Sequence, residues 1–407
     1  MRSALGARFW RIWVAAGVST LGDGMREVAL PLLAATITRD PALVAAVSLA
    51  GRLPWLVLSL VSGALVDRLD RRLVMGSVDV VRAVVMVTFA VTVAADVSSI
   101  ALLCVVAFAL GTGETLFDNA AQAIMPSVVR RDQLELANSR LYAAQVVSLE
   151  FVGPPLGALL FAVAAAVPFV VDGVSFAIAA ALALTLAGSY RPVRAAGPPT
   201  RMRTEIVEGL RWLWAHRLLR TLGLMLGMWN LLTTAIFSVF VLFALETLGL
   251  SKVGYGLIFT GAAAGSLLGT VVATRVIARL GPATALMGAV FLSAMSYLVI
   301  ALTSSPVLVG IMFAVSGLTS VVWNVITVSL RQSIIPDALL GRVNSVYRFL
   351  GWGTMPIGAA VGGVLAKGFG LRAPFFVSAG VLAIMGVAAL PIVNRRTIEA
   401  ARAESHD

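Results

Sequence analysis

Apolar residues in this chain do not alternate with polar ones; they run together. Twelve stretches are long and apolar enough to cross a bilayer, at about 10–37, 41–66, 73–94, 98–127, 138–162, 167–188, 219–245, 252–274, 282–303, 306–331, 343–366 and 371–392. Lipid offers no hydrogen-bond partner to the backbone, so each stretch is predicted to be a helix. A closed barrel would alternate apolar and polar positions, and these stretches do not. The polar residues are confined to short connections, with one longer polar segment near the middle, from about Tyr190 to Arg220.

Composition agrees. Hydrophobic residues make up 59% of the 407 positions and charged residues only 13%, about half the charged share of a soluble domain. The mean hydropathy is +0.95. A soluble domain could not bury so much apolar surface. The net charge is +11, which raises the question of nucleic acid. Cytoplasmic loops rich in arginine explain it without one, and no nucleic-acid partner is expected. With the N-terminus placed inside, the inner segments hold 24 basic residues and the outer loops 4, namely Arg39, Lys252, Lys367 and Arg372. Both termini are therefore expected in the cytoplasm. The first stretch follows the basic residues Arg2, Arg8 and Arg11 and is too long for a cleaved signal peptide, so it reads as the first membrane helix.

The central segment begins as a linker, RPVRAAGPPTRMR, and continues as TEIVEGLRWLWAHRLLR. In the latter, Ile206, Leu210, Leu213 and Trp214 share one helical face and arginines the other, the pattern of a helix lying on the inner leaflet. This segment divides the chain near its middle. A shift of 206 residues places Gly63 on Gly269, Gly111 on Gly317, Phe117 on Trp323, Asp118 on Asn324, Asn138 on Asn344, Ser139 on Ser345 and Gly157 on Gly363. The chain thus reads as a duplicated six-helix unit, an arrangement seen in secondary transporters. The expected division is 1–189 for the first half, 190–218 for the linker with its amphipathic helix, 219–394 for the second half and 395–407 for a cytoplasmic tail.

Several segments carry a family resemblance. GALVDRLDRR, residues 63–72, lies between the second and third stretches, and GTVVATRVIARLG, residues 269–281, is a worn copy in the second half. GPPLG, Gly153 to Gly157, lies in the fifth stretch. Others are LGDGMREVALPL in the first, PSVVRRDQLELANS after the fourth, EGLRWLWAHRLLRTLG before the seventh and GRVNSV before the eleventh. The chain resembles the major facilitator superfamily in its loop signature. The remaining segments are similar to the macrolide-efflux and enterobactin-exporter-like group of proton antiporters, including its mycobacterial multidrug members. The resemblance implies an all-α membrane protein of twelve transmembrane helices in two pseudo-symmetric six-helix bundles. It implies a bacterial cytoplasmic-membrane exporter of drugs or amphipathic cations that works by proton antiport and alternating access, as a monomer among membrane lipids. No cofactor is expected, because the proton gradient supplies the energy. Export of one natural product such as a siderophore, and proton-coupled import, remain alternatives.

The resemblance also assigns roles. Gly63 would let a neighbouring helix approach closely, and Asp67 would meet the start of the eleventh helix, whose N-terminus favours a carboxylate. Arg68, Arg71 and Arg72 would reach carboxylates or anionic headgroups, so that the loop gates the inner side. Asp70 stands where many relatives have glycine, which puts the loop's charge pairing in question. Gly153, Pro154, Pro155 and Gly157 look like the antiporter Gly-Pro motif, and a kink is expected there because proline removes a backbone donor. Spans one, four, seven and ten would line the cavity, which places Phe117, Gln122, Trp229, Asn230, Phe237, Trp323 and Asn324 beside the path, with Arg26 and Arg52.

Ionisable residues at mid-membrane are costly and mark function by default. Asp23, Arg26 and Glu27 share a face of span one. Glu114, Asp118 and Gln122 form a stripe on span four, Arg52 lies in span two and Glu150 in span five. Burial of a carboxyl favours its protonated form, so such a group can load and release a proton and attract a cation in its place. Asp23, Glu27, Glu114, Asp118 and Glu150 are the proton-coupling candidates. Arg26 and Arg52 are the counter-charges within reach, and two arginines cannot neutralise five acids. Asp79 and Arg82 read as a structural ion pair near the inner edge of span three, and Asp172 as interfacial, near the outer end of span six. Glycines repeat every four residues at Gly261, Gly265 and Gly269, and again at Gly358 and Gly362, which predicts close helix packing.

Other classes lack their chemistry. The chain has one cysteine, Cys104, and two distant histidines, His216 and His406, so no metal set and no internal disulfide are expected. No nucleophile with a base is evident, so the chain is not expected to be an enzyme. No GxxxxGK[ST] loop is present, so it is not a primary pump.

Overall fold

The computed structural model describes residues 5–403, apart from 59–61, 63, 64, 67, 131, 132, 187, 189 and 191–201. Among the described residues every regular element is helical. In chain order these are α1 (Ala7–Ile37), α2 (Pro41–Val57), α3 (Arg71–Ala94), α4 (Ile100–Val128), α5 (Leu134–Val146), α6 (Gly153–Val163), α7 (Val167–Leu184), α8 (Met202–Ala215) and α9 (Arg217–Phe237). They continue as α10 (Phe240–Thr247), α11 (Lys252–Leu280), α12 (Pro282–Leu302), α13 (Pro306–Ile334), α14 (Asp337–Gly353), α15 (Met355–Phe369), α16 (Ala373–Ala389) and α17 (Arg395–Ala403).

Eight spans are long and apolar enough to cross a membrane, α5 with α6 and α14 with α15 each forming one continuous span. A ninth is α9 with α10, bent by 44°. The sequence predicts one unbroken helix there. At the break the Ser238 hydroxyl donates to the carbonyls of Ala235 and Ala359, and hydroxyl back-bonding of this kind bends helices. The rings of Phe240 and Phe243 then pack on Phe313 and Phe375 at 5.0 and 4.7 Å. The remaining candidates are α1, which carries five charges along 31 residues, and α2 and α16, each of 17 residues.

Several helices begin on a side-chain cap. Side chains of Asp40, Asp70, Ser99 and Ser305 accept the orphan backbone N–H groups at the starts of α2, α3, α4 and α13. Burial is then the reverse of a soluble helix. In α3, Asp79 and Arg82 are buried, while Val80, Val84, Val87 and Val91 form an exposed stripe. That stripe has helical spacing, and only a hydrocarbon solvent suits it.

The chain divides into two compact units, 1–195 with 249–260, and 196–248 with 261–407. In the first, α3 and α1 both pack on α7, α4 packs on α2 and α3, and α6 packs on α1. An apolar core joins Phe9, Ile12, Val74, Met75, Ile124 and Leu186. In the second, α12 packs on α13 and α16, and α9 on α14, α15 and α16. The predicted glycine contacts form. Gly261 and Gly265 lie against the α13 backbone, and Gly358 and Gly362 against the α9 backbone, leaving no room for a Cβ. The linker helix α8 packs on α14 through Gly209 and Leu213, with Glu208 bound to Arg342 at 2.5 Å. Leu210 and Trp214 stay exposed. Ile206 lies where side chains are outside the described set.

Candidate functional site

The site is built on one tight turn of α1, Gly22-Asp23-Gly24-Met25-Arg26-Glu27. Gly22 faces α7, where a Cβ would land on the Asp172 carboxyl and the Ser175 hydroxyl. Gly24 faces the wide turn between α5 and α6, against Leu149 and Ser148. That turn, Val147–Val152, is a π-helix, with the Gly153 N–H donating five residues back to Ser148. Pro154 and Pro155 carry no N–H, so the ladder cannot continue regularly through them. The proline effect is therefore a wide turn within a continuous span. Gly153 lies on Gly24 and Gly157 on Met25. The Gly-Pro motif thus seats α6 directly on the charged turn of α1.

Two helices, α3 and α7, bring buried charges to that turn. Arg26 Nη2 donates to Asp23 Oδ1 at 2.6 Å, and Arg82 Nη2 of α3 donates to the same oxygen at 2.9 Å. Arg82 Nη1 reaches Asp79 Oδ1 at 3.4 Å, and its guanidinium lies 3.9 Å from the centre of the Phe176 ring. Gly113 of α4 leaves room for the Arg82 stem. Arg26 Nε faces Asp172 Oδ2 of α7 at 3.8 Å. Asp172, expected at the interface, is instead completely buried. The reason is that α7 packs against both α1 and α3 at this level and aims the residue at Arg26. The Asp79–Arg82 pair forms as expected but is not self-contained, because Arg82 is also bound to Asp23. Sequence spacing shows the pair within α3 and is blind to the third partner.

Glu27 pairs with Arg52 of α2 at 3.1 Å, and both side chains are partly open. Glu114 is half-buried and makes no hydrogen bond or ion pair among the described residues. Arg26, Arg52 and Arg82 lie near enough to attract it. Asp118 is half-buried with interactions of its own, Gln122 is exposed, and Glu150 is exposed on the π-turn. Phe117 corrects its expectation: it is buried in the apolar core of the first unit, on the flank of α4 that meets α1 and α3, and does not face a cavity there.

In the second unit Trp229 and Trp323 are both buried, their rings tilted against each other at 5.4 Å. Asn230 Nδ2 donates to the Gly351 carbonyl at 3.0 Å, which ties α9 to α14. Phe237 stacks on Phe313 at 5.5 Å and is half-buried, and Asn324 is exposed.

Gly63 and Asp67 of the loop signature lie outside the described residues. Arg68 is exposed and Arg71 half-buried. Arg72 Nη1 donates to the Leu186 carbonyl at 2.7 Å, beyond the end of α7, so it is not free for headgroups. Asp70 explains its departure from glycine. One oxygen accepts from the Arg72 N–H at 3.0 Å and caps α3, and the other accepts from the Tyr190 N–H at 3.1 Å. Both bonds stay inside the first unit. Asp70→Ala is expected to lower stability by roughly 1–2 kcal/mol, the cost of a lost cap, read as a lower melting temperature in detergent.

Known proteins share this architecture. The family profile described as transmembrane secretion effector matches residues 5–407. A multidrug efflux pump, Tap, from Mycolicibacterium fortuitum is 28% identical, covering 96% of this chain and 97% of that protein. Tap from Mycobacterium tuberculosis is 27% identical over 94% and 93%. Among solved structures, a bacterial homologue of the iron transporter ferroportin in its inward-facing state superposes with a TM-score of 0.77 at 18% identity, covering 97% of this chain and all of that one. The nucleoside transporter NupG gives 0.78 at 12% identity, over 95% of this chain and 99% of its own.

Proposed function

The chain belongs to the transmembrane secretion effector family of major facilitator transporters, and from that premise we propose that it exports amphipathic or cationic drugs in exchange for protons. It is a transporter and not an enzyme. In this reading twelve helices cross the bacterial cytoplasmic membrane in two halves of six, with both termini inside. The halves alternate access to a path that opens first to the cytoplasm and then outward, one chain among membrane lipids forming the whole pathway. No cofactor takes part.

One observation carries the proton and cation assignment. Glu114 stands half-buried in a membrane helix with no ion-pair partner among the described residues, the guanidiniums near it being engaged by other carboxylates. A carboxylate in that position is costly unless it binds a proton or a cation. The two would compete for it, and competition for one site is the simplest way to exchange them. The relatives called multidrug efflux pumps support drugs as the cargo. Asp118 and Glu150 are further candidates on the same helix and on the π-turn, and Gly153 to Gly157 would hold the turn of α1 against that π-turn as the path changes shape. The exposed Arg68 and the loop around it would gate the inner side.

The direct test uses purified protein in liposomes with ethidium as cargo. Ethidium movement should follow an imposed pH gradient and stop with a protonophore. Movement indifferent to the pH gradient would remove proton exchange from the reading.

A further inference from the structure

Resting on the proton-exchange reading, we propose that the first unit binds a second exchangeable proton at Asp172, so that two protons move for each monovalent cation and the exchange carries net charge. Glu114 is the first site. The second lies in the buried chain Asp79–Arg82–Asp23–Arg26–Asp172, which joins α3, α1 and α7.

Charge counting supplies the argument. The chain holds three carboxyl groups and two guanidiniums. The neighbouring Glu27–Arg52 pair is balanced within itself and offers no spare cation. Of the helices packed on α7, α1 brings Asp23, Arg26 and Glu27, α3 brings Asp79 and Arg82, and α6 brings no charge. Glu114 of α4, itself acidic, is the remaining neighbour. One carboxyl of the chain is thus without its own counter-ion, and a buried unpaired carboxylate is removed by protonation.

Geometry says which one. Asp23 takes both short bonds, at 2.6 and 2.9 Å, so it is the ionised member. Asp79 keeps an Arg82 bond at 3.4 Å. Asp172 is held least, with Arg26 at 3.8 Å and no hydrogen bond to either carboxyl oxygen. The adjacent Ser175 hydroxyl donates to the Asp172 backbone carbonyl at 2.7 Å. Asp172 and Asp79 are both at 0% exposure, whereas the Asp23 side chain is 17% exposed and is the chain's most open carboxylate, so contact and not depth separates the two buried acids.

The opening and the store are thus linked by one side chain. A cation arriving between Glu114 and Asp23, which lie close enough to feel each other's charge, displaces the Glu114 proton and replaces the charge of Arg26 at Asp23. Arg26 then turns to Asp172, whose O–H bond breaks. The electron pair stays on the carboxylate, now paired with Arg26, and the proton passes to water. When the cation leaves, Arg26 returns to Asp23 and Asp172 takes up a proton again. Arg26 is a positioning residue in this scheme and Asp172 the proton-binding one.

The test measures stoichiometry, which a purely structural role would not change. In liposomes with the membrane potential clamped by potassium and valinomycin, wild-type exchange of ethidium is expected to respond to potential. The steady-state ethidium ratio should shift about tenfold per 59 mV. Asp172→Asn should still be driven by a pH gradient but be indifferent to potential. A variant as potential-sensitive as wild type overturns the proposal, and so does a wild type driven by pH alone. A wild type that ignores the pH gradient instead defeats the underlying proton-exchange reading, a distinct outcome. If Asp172→Asn does not yield folded protein, wild type decides alone. Release of roughly two protons per bound ethidium in detergent, followed with a pH dye, supports the assignment, and roughly one overturns it.

Discussion

Glu114→Gln is expected to cut pH-driven drug accumulation by at least about tenfold per unit of pH gradient, since each exchanged proton contributes a factor of ten per unit. The amide keeps the size of the side chain and cannot take up or release a proton. Because Glu114 makes no hydrogen bond or ion pair among the described residues, the change strands no partner, and protein yield and melting temperature should stay at wild-type values. The measurement is ethidium accumulation in inside-out liposomes at several imposed gradients. A variant with an unchanged dependence on the gradient would strike Glu114 from the proton path. Glu27→Gln is the useful contrast, because it breaks the ion pair with Arg52 and should disturb stability as well as transport.

Arg82→Met should be the most destabilising single change in the first unit. Arg82 is almost fully buried and serves Asp23, Asp79 and the Phe176 ring together. Methionine fills much of the same space, so the loss is mainly of charge. Removing one partner of a buried pair leaves the others uncompensated and costs about 3–5 kcal/mol. Little folded protein should be recovered after extraction in detergent. Adding Asp79→Asn should restore part of the yield, because it removes a carboxylate that Arg82 had balanced. A double variant no better than the single one would mean that the cluster does not act as a charge-balanced set.

Several consequences of the sequence needed no neighbours. The membrane class follows from unbroken apolar runs, since only hydrocarbon tolerates them on the outside of a helix. The structure shows side-chain caps at Asp40, Asp70, Ser99 and Ser305, each a local device that acts within three residues of itself. The Gly261 and Gly265 contacts were legible from spacing alone, because residues four apart share a helix face. Mid-membrane charge marked α1 and α4 as candidates, because the cost of desolvating a charge arises before any partner is counted.

Tertiary structure decided which charges meet. Asp172 looked interfacial from its distance to the end of its helix, yet the packing of α7 on α1 and α3 buries it beside Arg26. Arg82 looked spoken for by Asp79 three residues away, yet its shortest bond goes to Asp23, 59 positions distant. Asp70 looked like a departure from a loop signature, and it proves to be a clasp reaching Tyr190. The resemblance puts Phe117 beside the path, yet its flank of the helix turns it into the core. Each depends on how one helix is rotated against another. That rotation is set by the summed packing of whole faces, so it cannot be read from any one stretch, whereas a hydrophobic run or a cap is complete within its own few residues.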